Sequence, residues 1–174
     1  MDTHPLEEQL LLEAKLSPKY QLRRAWGEFV DQWPWEWFAT FTFAHETHTE
    51  RGLKLFRVWC SMLSRAIYGP RWHKRHPYGV RFIVAVESHK SGNIHLHALL
   101  AGVGDIRRLT WMDKWEELDK LAGHPRIYPV QNNAAVSSYV TKYVTKGGEF
   151  YLSQNLGPAS RNLLDRAPSP ESDT

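Results

Sequence analysis

Two imidazoles stand two residues apart in the run Ile94-His95-Leu96-His97-Ala98-Leu99-Leu100. On a strand, successive side chains point to opposite faces. His95 and His97 then share one face, and Ile94, Leu96, Ala98 and Leu100 the other. The apolar set suits a face covered by helices, which leaves the imidazoles on an uncovered one. Upstream, Val84-Ala85-Val86-Glu87-Ser88-His89 leads into Lys90-Ser91-Gly92, a natural three-residue hairpin loop with Gly92 at its left-handed position. That register opposes His89 to Asn93 and Glu87 to His95, with Glu87 diagonal to His97. Directly opposed residues on one face have Cβ atoms about 5 Å apart. His95, His97 and Glu87 thus form a facial metal-ligand set with open positions. The alternative is a hydrogen-bonded polar patch on an exposed sheet face. His45 and His48, just after the first strand, are further ligand candidates.

A second group lies in Ser138-Tyr139-Val140-Thr141-Lys142-Tyr143-Val144-Thr145-Lys146, followed by Gly147-Gly148. A helix turns about 100° per residue, so Tyr139, Tyr143, Lys142 and Lys146 share an arc of about 100°. Val140 and Val144 adjoin it and suit packing on a sheet. A phenol with a pKa of about 10 is a weak nucleophile at neutral pH. A neighbouring ammonium stabilises the phenolate and offsets charge on a pentavalent phosphorus, and a divalent metal polarises the phosphate. Tyrosine, lysine and metal together suit phosphoryl transfer. The competing reading is plain amphipathic packing, with buried rings and lysines reaching water.

The stretch from Pro70 to Arg81 interleaves Arg71, Lys74, Arg75 and Arg81 with Trp72 and Tyr78. Cations track phosphates while aromatic faces stack on bases, so this segment is a candidate for binding single-stranded DNA; otherwise it is a solvated loop.

These groups need elements to hold them. Pro5 to Gln32 reads as helical, with a break at Ser17-Pro18. Trp37 to Phe43 reads as a strand, Thr49 to Tyr68 as an amphipathic helix, and Arg81 to Glu87 and Ile94 to Leu100 as two strands. Ile106 to Leu121 reads as a helix and Arg126 to Val130 as a short strand. Ala134 to Lys146 is a helix stopped by two glycines, and Glu149 to Leu152 an edge strand. Strand, helix, strand, strand, helix, strand is the order of a ferredoxin-like, RRM-like α+β sandwich. Its antiparallel sheet carries helices on one face and the chemistry on the other. Residues 1–36 form an N-terminal helical extension expected to pack across the sheet edge, 37–153 the catalytic domain, and 154–174 a disordered tail.

The 174 residues suffice for one core, and 42% hydrophobic with 24% charged residues is ordinary for a globular chain. The net charge is +3 and the pI near 9.0, a weak pointer to nucleic acid. No apolar run reaches the length of a membrane span, and the acidic, polar start is unlike a secretory signal. The lone cysteine, Cys60, falls in an apolar helical pattern and reads as a buried thiol, which fits a reducing cytoplasm.

Phe38 to Phe43, His95 to Leu100 and Tyr139 to Lys146 resemble, in this order, the three motifs of HUH endonucleases in rolling-circle replication initiators. Two tyrosines four apart, placed after the histidines, are similar to the two-tyrosine group typified by the phage gene A protein. The resemblance covers about residues 38–146. It implies a ferredoxin-like fold and a Mg²⁺ or Mn²⁺ ion on His95, His97 and Glu87. It also implies that Tyr139 or Tyr143 cleaves single-stranded DNA at a replication origin, often a hairpin, leaving a 5′-phosphotyrosine and a free 3′-hydroxyl. Lys142 and Lys146 would contact phosphate, and Thr40 and Thr42 would line the active face. By ligand preference, two histidines and a carboxylate suit Zn²⁺ or Mn²⁺ better than Mg²⁺, so Mn²⁺ satisfies both arguments. No GxxxxGK[ST] phosphate loop occurs, so a helicase is expected to act in trans. A two-tyrosine transposase and a non-catalytic single-strand binding module are the competing functions.

Overall fold

The computed structural model describes residues 17–75, 79–132, 134–136, 140, 142–143 and 148–156. Its elements in chain order are α1 (Pro18–Asp31), β1 (Trp37–Phe41), α2 (Thr49–Tyr68), β2 (Arg81–Ser88), β3 (Ile94–Ala101), α3 (Arg108–Glu116), β4 (Arg126–Pro129) and β5 (Glu149–Leu152). The strands form one antiparallel sheet in the order β4-β1-β3-β2-β5. The first four make the ferredoxin-like arrangement within an α+β fold, and β5 adds an edge.

The sheet's first face is the larger core. Trp37, Ala39 and Phe41 of β1 alternate inward with Val84 and Val86 of β2 and Leu96, Ala98 and Leu100 of β3. Against them α2 lays Leu53, Phe56, Trp59 and Leu63, and α3 lays Trp111 and Trp115. The spacing of these residues along α2 keeps them on one stripe. Glu50 in its first turn and Arg65 in its last oppose the helix dipole, and Gly69 at φ 88° ends it. Phe41 sits among Phe56, Trp59 and Trp115, with ring centroids 5.4, 4.9 and 4.6 Å away. Trp59 donates its indole N–H to the Trp111 carbonyl at 3.0 Å, so α2 and α3 are pinned by a satisfied buried donor. Cys60 is buried in the same cluster, and burial pushes its thiol pKa well up.

The second face differs from expectation: half of it is covered. Trp26, Phe29 and Val30 of α1 pack with Trp35, Ile83, Leu99, Ala101, Val136, Val140 and Leu156 into a second cluster. The N-terminal helix therefore lies on the sheet face, not across an edge. Ser17 caps it by accepting from the Tyr20 amide at 3.4 Å, and Pro18 occupies its first turn. Residues 83–86 are buried without alternation because both faces are packed there. Leu156, in a short 3-10 turn Gln154–Leu156, belongs to this cluster, so the start of the expected tail is packed structure.

Two element ends also move. β1 stops at Phe41, and Phe43 pairs alone with Ala122. The Thr42 carbonyl accepts from Gly123 and from the Trp115 indole, which turns the chain out of the ladder. α3 ends at Glu116, short of Leu121. Downstream, the Asp119 side chain takes the Leu121 amide at 2.9 Å, a local bond that competes with a helix.

Candidate metal and nucleophile site

The β2–β3 hairpin builds the site. Gly92, at φ 84°, takes the left-handed position of the loop, and the His89 amide bonds the Asn93 carbonyl at 2.9 Å. The resulting register opposes Glu87 to His95 and Ala85 to His97. Along this face the environment grades from closed to open. Ile83 and Leu99 lie under α1 in the second cluster, Ala85 and His97 line a small apolar gap with Tyr143, and Glu87, His95 and His89 reach toward water.

His97 is fixed on three sides. Its Nε2 lies 2.7 Å from Glu87 Oε2, and its Nδ1 lies 3.2 Å from the Thr40 hydroxyl. A carboxylate only accepts, so Nε2 carries the proton and Nδ1 accepts from Thr40. The ring stacks on Tyr143, centroids 5.1 Å apart and planes at 24°. Burial lowers the His97 pKa; Glu87 opposes that by hydrogen bond and charge, and His89 and Lys142 add to it. His95 has its Nδ1 3.0 Å from His89 Nε2, and its pKa is lowered by burial first and then by His89 and His97. Both imidazoles are therefore neutral at pH 7, the form that binds a metal.

Among the described residues, Glu87, His89 and His95 place ligand atoms within 4.8 Å of one another. An ion bonded to nitrogen and oxygen at right angles, at about 2.1 Å each, needs those donors about 3 Å apart. The 2.7 Å gap between His97 and Glu87 is a few tenths short of that, and an ion there would take the place of the shared proton. The residues present thus fit a divalent ion with mixed imidazole and carboxylate ligation. The sequence reading does not include His89. Residues 87 and 89 have the same strand parity, and that signal is legible one residue beyond the strand's end.

Tyr143 is 5% exposed, yet its ring lies on His97 and lines a cleft of about 440 Å³ with Glu87, Ser88 and Glu149. Val140 and Val136, on the same helical stretch, are buried in the second cluster and hold it against the sheet. Lys142 beside Tyr143 is exposed. Tyr139 and Lys146 lie outside the described residues, as does Tyr78. Thr40 reaches the site, whereas Thr42 donates its hydroxyl to the His124 carbonyl at 2.8 Å and turns toward that loop. Arg71, Lys74 and Arg75 are exposed around the 3-10 turn Trp72–Lys74. Arg81 lies apart from them on the second face, its guanidinium 5.0 Å from the Trp33 ring. His45 and His48 are exposed loop residues.

A ferredoxin-like sheet bearing a histidine–carboxylate cluster beside a tyrosine defines a candidate metal-centred protein. The family profile of the replication-associated protein ORF2 matches residues 36–148, and the chain belongs to that family. It is thus a protein of the replication-initiator kind. Compared with curated proteins the chain gives no match, and compared with solved structures it gives none. Among the described residues no helix is long and apolar enough to cross a membrane.

Proposed function

We propose that this chain nicks and rejoins single-stranded DNA at a replication origin, using tyrosine as nucleophile and a divalent metal, Mn²⁺ or Mg²⁺. The observation that carries the reading is the contact chain Tyr143–His97–Glu87: a phenol stacked on an imidazole whose Nε2 meets a carboxylate. Membership of a replication-associated family supports DNA at an origin as the substrate. The helicase acting in trans belongs to the same proposal.

Glu87, His95 and His97, with His89 beside them, would hold the ion. When bound, it polarises a phosphate oxygen and offsets charge that develops on phosphorus. The chain's own residues do the rest. Thr40 holds His97 in one tautomer, so Nε2 stays aimed at Glu87. The His97 ring braces the Tyr143 ring at the cleft wall. The phenol oxygen forms its bond to phosphorus as the bond to the 3′-oxygen breaks. The phenol releases its proton to solvent in the cleft and the departing 3′-oxygen takes one up, leaving a 5′-phosphotyrosine. Lys142 and Lys146 neutralise the phosphate, and the second tyrosine, Tyr139 or Tyr143, runs the reaction on newly made DNA.

The test uses labelled single-stranded DNA carrying a hairpin origin, Mn²⁺ and a denaturing gel. A protein–DNA adduct is expected, and EDTA should abolish it. Tyr143→Phe and Tyr139→Phe each remove one nucleophile, and the double variant should form no adduct. His97→Ala should lose cleavage by about a hundredfold while retaining binding, which phosphate contacts dominate. Unchanged adduct formation in the double tyrosine variant would overturn the proposal.

A further inference from the structure

Beyond the site just described, the molecule holds a second pocket of about 350 Å³ on the other face of the sheet, at the opposite end of β2. That volume is within the range of small-ligand sites. Trp72 lines it half-buried, its ring set so tightly on Gly79 that a Cβ there would lie 2.8 Å from it. The wall opposite is polar and built. Ser64, 2% exposed, accepts the Val80 amide at 3.0 Å, and Ser153, 7% exposed, accepts the Phe82 amide at 2.9 Å. Each serine hydroxyl keeps its own proton to donate. Asn155 gives its Nδ2 to the Gly79 carbonyl at 2.9 Å, and its buried Oδ1 has no partner among the described residues. Arg57 and Arg75 stand exposed on the rim.

An aromatic face, donors and an acceptor on the wall, and two cations at the mouth match the three parts of a nucleotide. A base offers a π-face to stack and, whatever its identity, at least one N–H on its Watson–Crick edge; the phosphate meets arginine. The pocket's position adds a direction. Val86 borders the cleft below Tyr143 and Phe82 borders this pocket. They share one face of β2, four residues or about 13 Å apart. At a duplex rise of about 3.4 Å per nucleotide this is about four nucleotides, and fewer in an extended strand.

We propose that this pocket holds one unstacked nucleotide of the same DNA strand, a few positions from the phosphate at the histidine–glutamate site, and so sets the strand's register there. The inference rests on the reading that the chain works on single-stranded DNA. Binding is read by fluorescence anisotropy in EDTA, so the result is independent of whether the chain cleaves. The probes are labelled dT20 and an abasic 20-mer of the same backbone. Trp72→Ala should weaken dT20 binding about tenfold and leave the abasic strand unchanged. Gly79→Ala, which displaces the ring without removing it, should do the same with a smaller loss. Arg57→Ala combined with Arg75→Ala should weaken both probes alike and reduce the salt slope by about 1.4. Unaltered thermal unfolding of each variant separates these effects from misfolding. The proposal is overturned if Trp72→Ala binds dT20 as the parent does, or weakens both probes equally. It is also overturned if free dTMP binds as tightly as dT20, which would mark a site for a small nucleotide.

Discussion

His97 shows how much a single side chain is asked to do. It meets Glu87 through one nitrogen, Thr40 through the other and Tyr143 through its face. Removing the carboxylate's charge tests the ligand reading. Glu87→Gln keeps the shape but should cut Mn²⁺ affinity by at least about tenfold, measured by titration of the metal into apo-protein. The lowered pKa values of His95 and His97 also make a pH prediction. Unfolded histidine, with a pKa of about 6.5, takes up its proton before either folded ring does. Stability in EDTA should therefore be flat above that pH and fall as pH drops below it, because the unfolded chain then binds more protons. His97→Gln should flatten the fall in urea unfolding between about pH 5 and 7. A fall of equal steepness in that variant would assign the effect to other groups.

At the scale of elements, the hairpin is what turns three separate residues into a site. A one-residue slip would send both imidazoles into the packed face. Gly92 guards the register, since any other residue at φ 84° is strained and a Cβ there would lie 3.0 Å from the Glu46 carboxylate. Gly92→Ala should cost about 1–2 kcal/mol, visible as a lower urea midpoint. It should also weaken Mn²⁺ binding, because the strain falls on the turn that aligns Glu87 with His95. This hairpin was legible because it is local: loop length, glycine position and alternation all lie between Val84 and His97. The ends of β1 and α3 were less legible. Thr42 and Asp119 leave their regular elements for bonds to Gly123, His124 and Leu121 that no periodicity encodes.

The whole molecule is a sheet between two apolar clusters, one complete and one that stops short of the hairpin tip. The second cluster ties α1 to the site. Trp26 packs on Phe150 of β5 with centroids 5.0 Å apart, and it shares the cluster with Val140, three residues before Tyr143. Trp26→Ala should cost about 3–5 kcal/mol, or about 10 °C in melting temperature. Because that packing also seats Tyr143 against His97, adduct formation should fall at temperatures where the variant is still folded. Full adduct yield from folded Trp26→Ala would show that α1 stabilises the sheet without positioning the phenol.

By itself the sequence determined what is written in short range: the alternation that puts His95 and His97 together, the loop that brings Glu87 opposite, and the helical stripe of α2. The tertiary structure decided what depends on residues distant in the chain meeting. It covered half of the second face with α1, drew Leu156 into a core, set Arg81 under Trp33, and joined Trp72 to Ser153 and Asn155 from the far end of the chain. Strand parity and helical pitch are properties of neighbouring residues, so they can be read along the chain. Burial is a property of what arrives from elsewhere, and only folding shows which faces are left for water and for DNA.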